Sequence, residues 1–291
     1  VPVEEFRQEC RDFAAHWLDV QSEEFQRLGV LGDWHDPYTT MAYDAEATIA
    51  GELGRILMDG SLYRGAKPVM WSPVEKTALA EAEIEYQDHT SVTIYARFPV
   101  KQPSHPALEG ANIVIWTTTP WTMPGNRAMA CGADIDYSVL RITGLAEGAL
   151  AKDGDVICLA TELVGDVTSA IGIASTETLA TLKGRDIEGT VSLHPMNGYG
   201  YDHDVPMLLA DYVTTEQGTG FVHIAPGHGV EDYVLAHLEH GIPLPDTVAE
   251  DGKIMEHLPI FRGMHVLRDN AKIAEIMAEH GGVIGIGKLV H

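Results

Sequence analysis

A threonine-rich loop interrupted by two prolines is the sequence feature that most constrains the fold of this chain. The loop reads WTTTPWTMPGN from Trp116 to Asn126 and follows the β-branched apolar run 111–115, which predicts a buried strand. Pro120 and Pro124 lack a backbone N–H and disfavour helical geometry in the residue before them, so the strand ladder must end here. The sequence therefore predicts a stiff, hydroxyl-rich loop that either lines a polar pocket or satisfies its own backbone.

A second polar stretch, GTGFVHIAPGHGVEDY, occupies residues 218–233. Its glycines permit close backbone approach, and residues 221–224 predict a short strand. A Pro/Gly turn then leads into a helix predicted over 230–239, with Asp232 in its first turn. A carboxylate at that position either offsets the positive helix terminus or holds a cationic ligand.

The spacing of apolar residues between these stretches predicts the remaining elements. Residues 4–30 and 43–58 have helical spacing, and Gly60 supplies a stop signal for the second helix. Short strand-like runs occur at 83–86 and 91–98. Helices are also predicted over 162–171, 177–182 and 270–280.

The charge balance restricts the partners that the chain can bind. Its 291 residues, of which 45% are hydrophobic and 21% charged, are typical of a soluble globular protein, but 19 Lys and Arg face 43 Asp and Glu, for a net charge of −24. Such a field repels polyanions, so any nucleic-acid contact must use local basic patches and weaken with salt. The candidate contacts are Arg97, Lys101, Arg127, Lys183 and Arg185.

The sequence lacks the motifs of several common enzyme classes. There is no phosphate-binding loop, no dinucleotide fingerprint and no nucleophile elbow, which argues against a covalent nucleophile. His237 and His240 lie three residues apart, a spacing that permits a shared metal, but Leu238 stands where a metalloprotease has its glutamate. Three scattered cysteines form no disulfide framework and indicate a reducing compartment.

The two polar stretches together resemble the editing domain of class I isoleucyl-tRNA synthetases. The segment RGAKPVMWSP followed by TALAEAE at residues 64–83 is similar to the same family, so the resemblance covers essentially the whole chain. The sister valyl and leucyl enzymes have Arg and an acid where this chain has Thr119 and Trp121, and the valyl enzyme has Lys in place of His223. Met123 and Gly125 differ from the commoner Leu and Ala.

The resemblance implies an α+β fold with a β-barrel-like editing core and surrounding helices, flanked by helical segments and β-ribbon arms. Residues 1–63 would border the synthetic domain, 64–82 would form the outgoing linker arm, 83–251 the editing core, and 252–291 the returning arm and helix. The abrupt first and last residues lead us to expect a piece of a longer chain.

The resemblance also implies a reaction, the hydrolysis of valine wrongly esterified to the tRNA for isoleucine, together with clearance of valyl-adenylate. One missing methylene gives too little discrimination in a single pocket, and this family is the standard example of a second, smaller site that removes the error. The implied catalytic residues are Asp232, Thr118, Thr119 and Thr122. The implied substrate-binding residues are Thr117, Trp121, Asn126, His223, Gly218, Thr219 and Asp232.

Each role follows from the same resemblance. Asp232 would hold the α-ammonium group, His223 would exclude isoleucine, and the threonines would hold the terminal adenosine and position water. No metal and no acyl-enzyme are expected, because oriented water and the vicinal ribose hydroxyl of the substrate would carry the reaction.

The expected partner is the acceptor end of the tRNA for isoleucine, bound by a cytoplasmic monomer with no membrane contact. The class I signatures for ATP do not occur, so ATP and magnesium would serve only a synthetic domain elsewhere. Two alternatives remain open: a tRNA-end binding module without activity, and a hydrolase that uses a histidine-bound metal.

Overall fold

Two helices, α1 (Val3–Arg27) and α2 (Tyr43–Asp59), form the first part of the structure, as their apolar spacing predicts. Gly60 ends α2 with φ 85°, a left-handed conformation that glycine adopts without a Cβ clash. The computed structural model describes residues 1–290, and the chain separates into two compact units after Gly65. This point lies inside the linker arm predicted over 64–82; the finer domain boundaries stay predictions.

The second unit contains the strands that build the fold. They are β1 (Trp71–Ser72), β2 (Thr77–Ala78), β3 (Thr90–Gln102), β4 (Ala111–Thr117), β5 (Ala128–Cys131), β6 (Asp136–Leu145), β7 (Val156–Ala160), β8 (Ile173–Lys183), β9 (Val191–Leu193), β10 (Asp204–Leu209), β11 (Phe221–Ile224) and β12 (Val283–Val290). The short pair β1 and β2 forms its own ribbon, and the other strands share one mixed sheet.

Helices connect and cover these strands. The α-helices are α3 (Val164–Ala170), α4 (Gly184–Ile187), α5 (Val230–Asp232) and α6 (Asn270–Glu279), and α5 continues as a π-helix over Tyr233–Glu239. Short 3-10 helices occur at Glu81–Glu83, Pro106–Leu108, Pro120–Gly125 and Thr161–Leu163. Ile273, Ala274 and Met277 form the buried face of α6, with the spacing that the sequence predicts.

The long strand β3 joins the two halves of the sheet. The strand order is β11-β5-β10-β9-β3-β4-β7-β6-β8, and β12 also pairs with β3. Residues 94–99 of β3 pair with β4, while its other edge pairs with β12 over residues 90–96 and with β9 at Val100 and Gln102. The path ends at β11 and β8 within residues 1–290, so the barrel-like core is an open mixed sheet and not a closed barrel.

One hydrophobic core holds this sheet together. Ile94, Ala96 and Phe98 alternate along β3 and are fully buried, which is the period-two pattern of a strand with one face in the core. On the adjacent β4, Ile113, Val114 and Ile115 are all fully buried, as the continuous apolar run predicts for a buried strand. A smaller cluster that includes Ala128 and Leu235 packs the π-helix against β5.

Two predicted elements are wrong for local reasons. Residues 177–182 belong to β8, because Thr176, Thr178 and Thr181 are β-branched and the segment pairs along β6. Residues 83–86 do not form a strand, since the Glu83 carboxylate accepts the Ala80 N–H at 2.7 Å and stabilises a 3-10 turn instead.

Replacing Gly184 by alanine should destabilise the second unit. A Cβ at this position would lie 2.0 Å from the backbone oxygen of Gly132, so one of the two segments must move. We expect Gly184→Ala to lower the free energy of unfolding by about 1–3 kcal/mol in urea denaturation. Gly165 in α3 has no atom within 4 Å of the same position and serves as the control. Gly165→Ala should be neutral or stabilising, and equal effects of the two variants would contradict this packing.

Candidate functional site

The threonine-rich loop becomes a short helix that begins at a proline. Pro120 occupies the first position of the 3-10 helix Pro120–Gly125, where its missing N–H costs nothing. The Thr122 N–H bonds to the Thr119 carbonyl at 2.9 Å, and the Thr117 hydroxyl oxygen accepts the Thr119 N–H at 3.1 Å. The loop is thus rigid, and its hydroxyl groups have fixed directions.

Strand pairing brings the two polar stretches together. β5 follows the loop directly and pairs antiparallel with β11, with Met129 opposite His223. The Pro120–Gly125 helix therefore lies beside the strand that carries His223, although Thr122 and His223 are 101 positions apart in the sequence.

His223 is held from both sides by polar side chains. The Asn126 Nδ2 donates to the His223 Nδ1 at 2.8 Å and to the Ala128 carbonyl at 2.9 Å, so the amide nitrogen must face the ring. The His223 Nε2–H then donates to the Thr122 hydroxyl at 2.9 Å, and this hydroxyl donates to the Thr119 carbonyl at 2.8 Å. These bonds specify one neutral tautomer.

Burial keeps this imidazole uncharged. His223 is 9% exposed, and desolvation, with a smaller contribution from the nearby His228, lowers its pKa to about 3. Asn126 is fully buried beside it, and its Oδ1 has no hydrogen-bond partner within residues 1–290. The site therefore combines a neutral ring with an unused amide acceptor.

Asp232 is tied to the end of the same strand. Its Oδ2 accepts the N–H of Ala225 at 2.7 Å, and Ala225 follows His223 by two residues. Burial raises the pKa of Asp232 and the neighbouring Glu231 raises it further, while the bond from Ala225 opposes the shift. A Cβ on Gly229 would lie 3.1 Å from the Asp232 Cγ, so glycine lets the carboxylate pack closely against the turn.

Trp121 lies against His228 on another side of the loop. The two rings meet edge to face with centroids 4.9 Å apart, and the His228 Nε2 bonds to the Thr247 hydroxyl at 2.6 Å. A Cβ on Gly125 would come within 3.0 Å of the His228 ring, which explains the small residue at this position.

Thr118 and Thr119 open into a cleft of about 610 Å³. Its walls include Trp121, the irregular segment 86–89 and Leu267. Thr119 thus faces this cleft and also lies beside Thr122, with 3.4 Å between their hydroxyl oxygens.

Gly218 and Thr219 make different contacts from the other candidate residues. Gly218 lies against the Trp116 ring, which a Cβ would approach to 3.6 Å, and the Thr219 carbonyl accepts the Ala160 N–H at 2.8 Å. Among the contacts of residues 1–290, neither joins the hydrogen bonds around His223. Gly218 and Thr219 therefore help to position the start of β11.

Three side chains bond to carbonyls at the end of the Pro120–Gly125 helix: His194 and His203, which the sequence did not single out, and Arg127, for which it suggested a tRNA contact instead. His194 donates to the Met123 carbonyl at 2.9 Å, and His203 donates to the Asn126 carbonyl at 2.9 Å. Arg127 donates to the same Asn126 carbonyl at 2.5 Å and to Pro124 at 3.3 Å. The two histidines come from a Gly- and Asn-rich loop, whose sequence signals a turn but not the burial of a histidine.

A family model described as tRNA synthetases class I (I, L, M and V) matches residues 1–272. The chain belongs to this family. It is 47% identical over its full length to the isoleucine–tRNA ligase of Pelagibacter ubique, of which it covers 32%, and 48% identical to that of Caulobacter vibrioides, of which it covers 31%. The chain therefore spans about a third of the length of the curated relatives it matches.

Solved structures show which fold the synthetase chain adopts. A crystal structure titled GlLeuRS-CP1 aligns with a TM-score of 0.52 at 13% identity and covers 67% of this chain and 98% of its own. The cytosolic leucyl-tRNA synthetase editing domain of P. knowlesi aligns with a TM-score of 0.51 at 9% identity and covers 72% and 99%. These similarities confirm the predicted α+β class and the editing-domain fold.

The basic residues suggested as tRNA contacts of this synthetase chain are mostly paired with acids. Arg97 bonds to Asp155 at 3.2 Å, Lys101 to Asp204 at 2.5 Å and Lys183 to Asp136 at 2.8 Å, while Arg185 pairs with Asp134. Burial lowers the pKa of Arg127, whose guanidinium bonds to backbone carbonyls. These contacts reduce the positive field available to a polyanion.

His237, one of the two histidines considered as metal ligands, bonds to the backbone. The His237 Nδ1 donates to the Ile242 carbonyl at 2.9 Å, and the part of the chain from Val1 to Val290 contains no group of three or more potential metal ligands. Over the same residues, the helices are too short or too polar to cross a bilayer.

The neutral His223 should make stability depend on pH. Its folded pKa of about 3 lies below the ordinary 6.5, so between these values the unfolded chain binds a proton that the folded chain does not. The contribution of the neutral His223 to the free energy of unfolding is therefore greatest above pH 6.5 and is lost progressively as the pH decreases toward 3. We expect His223→Gln to reduce the loss of unfolding free energy between pH 6.5 and 5 by up to about 2 kcal/mol, measured by urea denaturation. The same loss in parent and variant would contradict a buried neutral ring.

Proposed function

We propose that this synthetase chain hydrolyses valine esterified to the tRNA for isoleucine, and valyl-adenylate. The His223 imidazole, fixed between Thr122 and Asn126 where the two polar stretches meet, is the main support for this function. The site combines oriented hydroxyl groups, a neutral imidazole on β11 and the Asp232 carboxylate, which bonds to the end of β11. These groups can bind the polar and charged parts of an amino acid ester.

Asp232 is the proposed anchor for the α-ammonium group of the substrate. Its Oδ2 accepts the Ala225 N–H, which leaves its second oxygen for a charge-assisted bond. Since burial raises the pKa of this carboxyl, an incoming cation would stabilise its ionised form. A bound ammonium thus offsets the desolvation of Asp232 and positions the ester carbonyl.

His223 is the proposed wall that limits side-chain size. Both ring nitrogens are bonded, so the ring cannot rotate away when a larger side chain enters. Its pKa of about 3 also makes it a weak general base near neutral pH, which favours a steric role. A fixed ring accepts valine and rejects the additional methylene of isoleucine.

The threonine hydroxyls are the proposed binding groups for water and the terminal ribose. Thr117, Thr119 and Thr122 form a chain of hydroxyls with spacings of 3.1 and 3.4 Å, oriented by backbone bonds. Thr118 and Thr119 extend this surface into the cleft. Oriented water and the vicinal ribose hydroxyl would then supply the hydrolysis without a covalent intermediate.

Asp232→Asn should reduce release of valine from preformed valyl-tRNA for isoleucine. The variant keeps an acceptor for Ala225 but loses the charge, and a charged hydrogen bond contributes roughly tenfold to a hundredfold in rate. Glu231→Gln removes the adjacent exposed charge and is the matched control, with release near that of the parent. Undiminished release by Asp232→Asn would contradict the anchor.

His223→Ala should weaken discrimination between valine and isoleucine. Removing the ring opens space for one more methylene, so correctly charged isoleucyl-tRNA should also be cleaved, and the preference for valine should fall by about tenfold or more. His237→Ala removes a histidine that bonds to Ile242 and should leave the preference unchanged. Unchanged selectivity of His223→Ala would show that this ring does not limit the size of the bound side chain.

A tRNA-end binding module is the second candidate function. The paired cations and the net charge of −24 predict weak tRNA affinity for this chain by itself, so most of the affinity would come from other parts of the enzyme and the chain alone would contact the tRNA end without useful hydrolysis. Deacylation of valyl-tRNA at low salt separates the two functions, because a binding module would retain the ester while an editing site would release valine.

A further inference from the structure

The Pro120–Gly125 helix depends on side chains outside it for part of its hydrogen bonding. Pro124 has no N–H and so cannot bond to a carbonyl of the preceding turn. At the end of the helix, the carbonyls of Met123, Pro124 and Asn126 accept bonds from the side chains of His194, Arg127 and His203. We call these three side chains the carbonyl clamp.

His194 is the most deeply buried member of the carbonyl clamp. It is 1% exposed, its Nδ1 accepts the Met196 N–H at 3.1 Å, and its Nε2–H donates to Met123 at 2.9 Å. The ring stacks on Tyr201 with centroids 5.1 Å apart, and Tyr201 donates to the Pro259 carbonyl at 2.8 Å. Contacts within its own loop, which Tyr201 ties to Pro259, therefore fix the direction of the Nε2–H.

The Met123 carbonyl, which accepts the bond from His194, lies in the sequence between Thr122 and Asn126, the two residues that bond to His223. Thr122 precedes Met123, and Asn126 follows it by three residues and donates its own N–H to the same carbonyl at 3.0 Å. A shift of this carbonyl would therefore move Thr122 and Asn126 relative to β11. The His223 Nδ1 accepts a hydrogen bond from Asn126 and its Nε2–H donates to Thr122, so such a shift would change both bonds.

We propose that His194 is a positioning residue for the editing site, whose Nε2–H holds the Met123 carbonyl and thereby the placement of Thr122 and Asn126 around His223. This inference rests on the proposed function. A fully buried polar ring is expensive to desolvate, and an apolar residue of similar volume would pack there at lower cost. Burial keeps the pKa of His194 low, at about 3, so the ring donates as a neutral group.

Two substitutions separate positioning from packing. His194→Leu fills the space but removes the donor, whereas His194→Gln places an amide N–H near the former Nε2. We expect His194→Leu to lower kcat for valyl-tRNA release by about tenfold or more with little change in KM, and His194→Gln to recover most of it. The matched control is Ile157→Ala in β7, a buried residue outside these contacts that destabilises the core without moving the loop.

Nitrogen chemical shifts of the His223 ring provide a second readout that does not need activity. The parent, His194→Gln and Ile157→Ala should show an acceptor Nδ1 and a protonated Nε2. His194→Leu should show shifts averaged between tautomers. Parent-like shifts and parent-like kcat in His194→Leu would overturn the inference, as would equal losses in His194→Leu and Ile157→Ala.

Failure of the proposed function has a different signature. In that case the parent itself would release no valine, while the tautomer shifts would still report whether His194 positions the loop. If the parent and His194→Leu release valine equally fast, the proposed function stands and only the positioning role of His194 is rejected.

Discussion

The hydrogen bonds to the two nitrogens of His223 hold the two polar stretches of the chain against each other. One nitrogen accepts from Asn126 and the other donates to Thr122, so a single buried ring joins segments that lie about a hundred residues apart. Such a ring is costly to bury unless both nitrogens are satisfied. The bonds therefore stabilise the contact and also determine its geometry, which a purely apolar contact would leave less precise.

The pairing of β5 with β11 makes this contact possible. β5 and β11 pair with Met129 opposite His223, and a slip of one residue would turn His223 to the other face of the sheet. Gly220, with φ 78° and an added Cβ only 2.3 Å from Ala160, fixes the start of β11 by close backbone approach. The strand register and the side-chain bonds thus support each other, as expected for a site built on strands.

Local sequence patterns predicted the parts of the fold that local physics controls. The helices α1, α2 and α6 follow from apolar spacing, and the prolines correctly indicated where β4 must end. The helix predicted over 177–182 failed because pairing with β6 overrides weak local preference. The carbonyl clamp was not predictable, since His194 lies in a polar loop and its burial depends on contacts with residues far away in the sequence, Phe98 and Met123. The candidate site residues came from the family resemblance. The pairing of β5 with β11 explains why His223 lies beside Thr122.

The proposed editing site would bind an amino acid ester between Asp232 and the fixed His223 ring. A crystal structure with a non-hydrolysable valyl-adenosine analogue tests this most directly. The predicted result is an ammonium group within hydrogen-bonding distance of the Asp232 carboxylate and a valine side chain in contact with the His223 ring. An analogue that binds elsewhere on the chain, with Asp232 and His223 unoccupied, would contradict the claim.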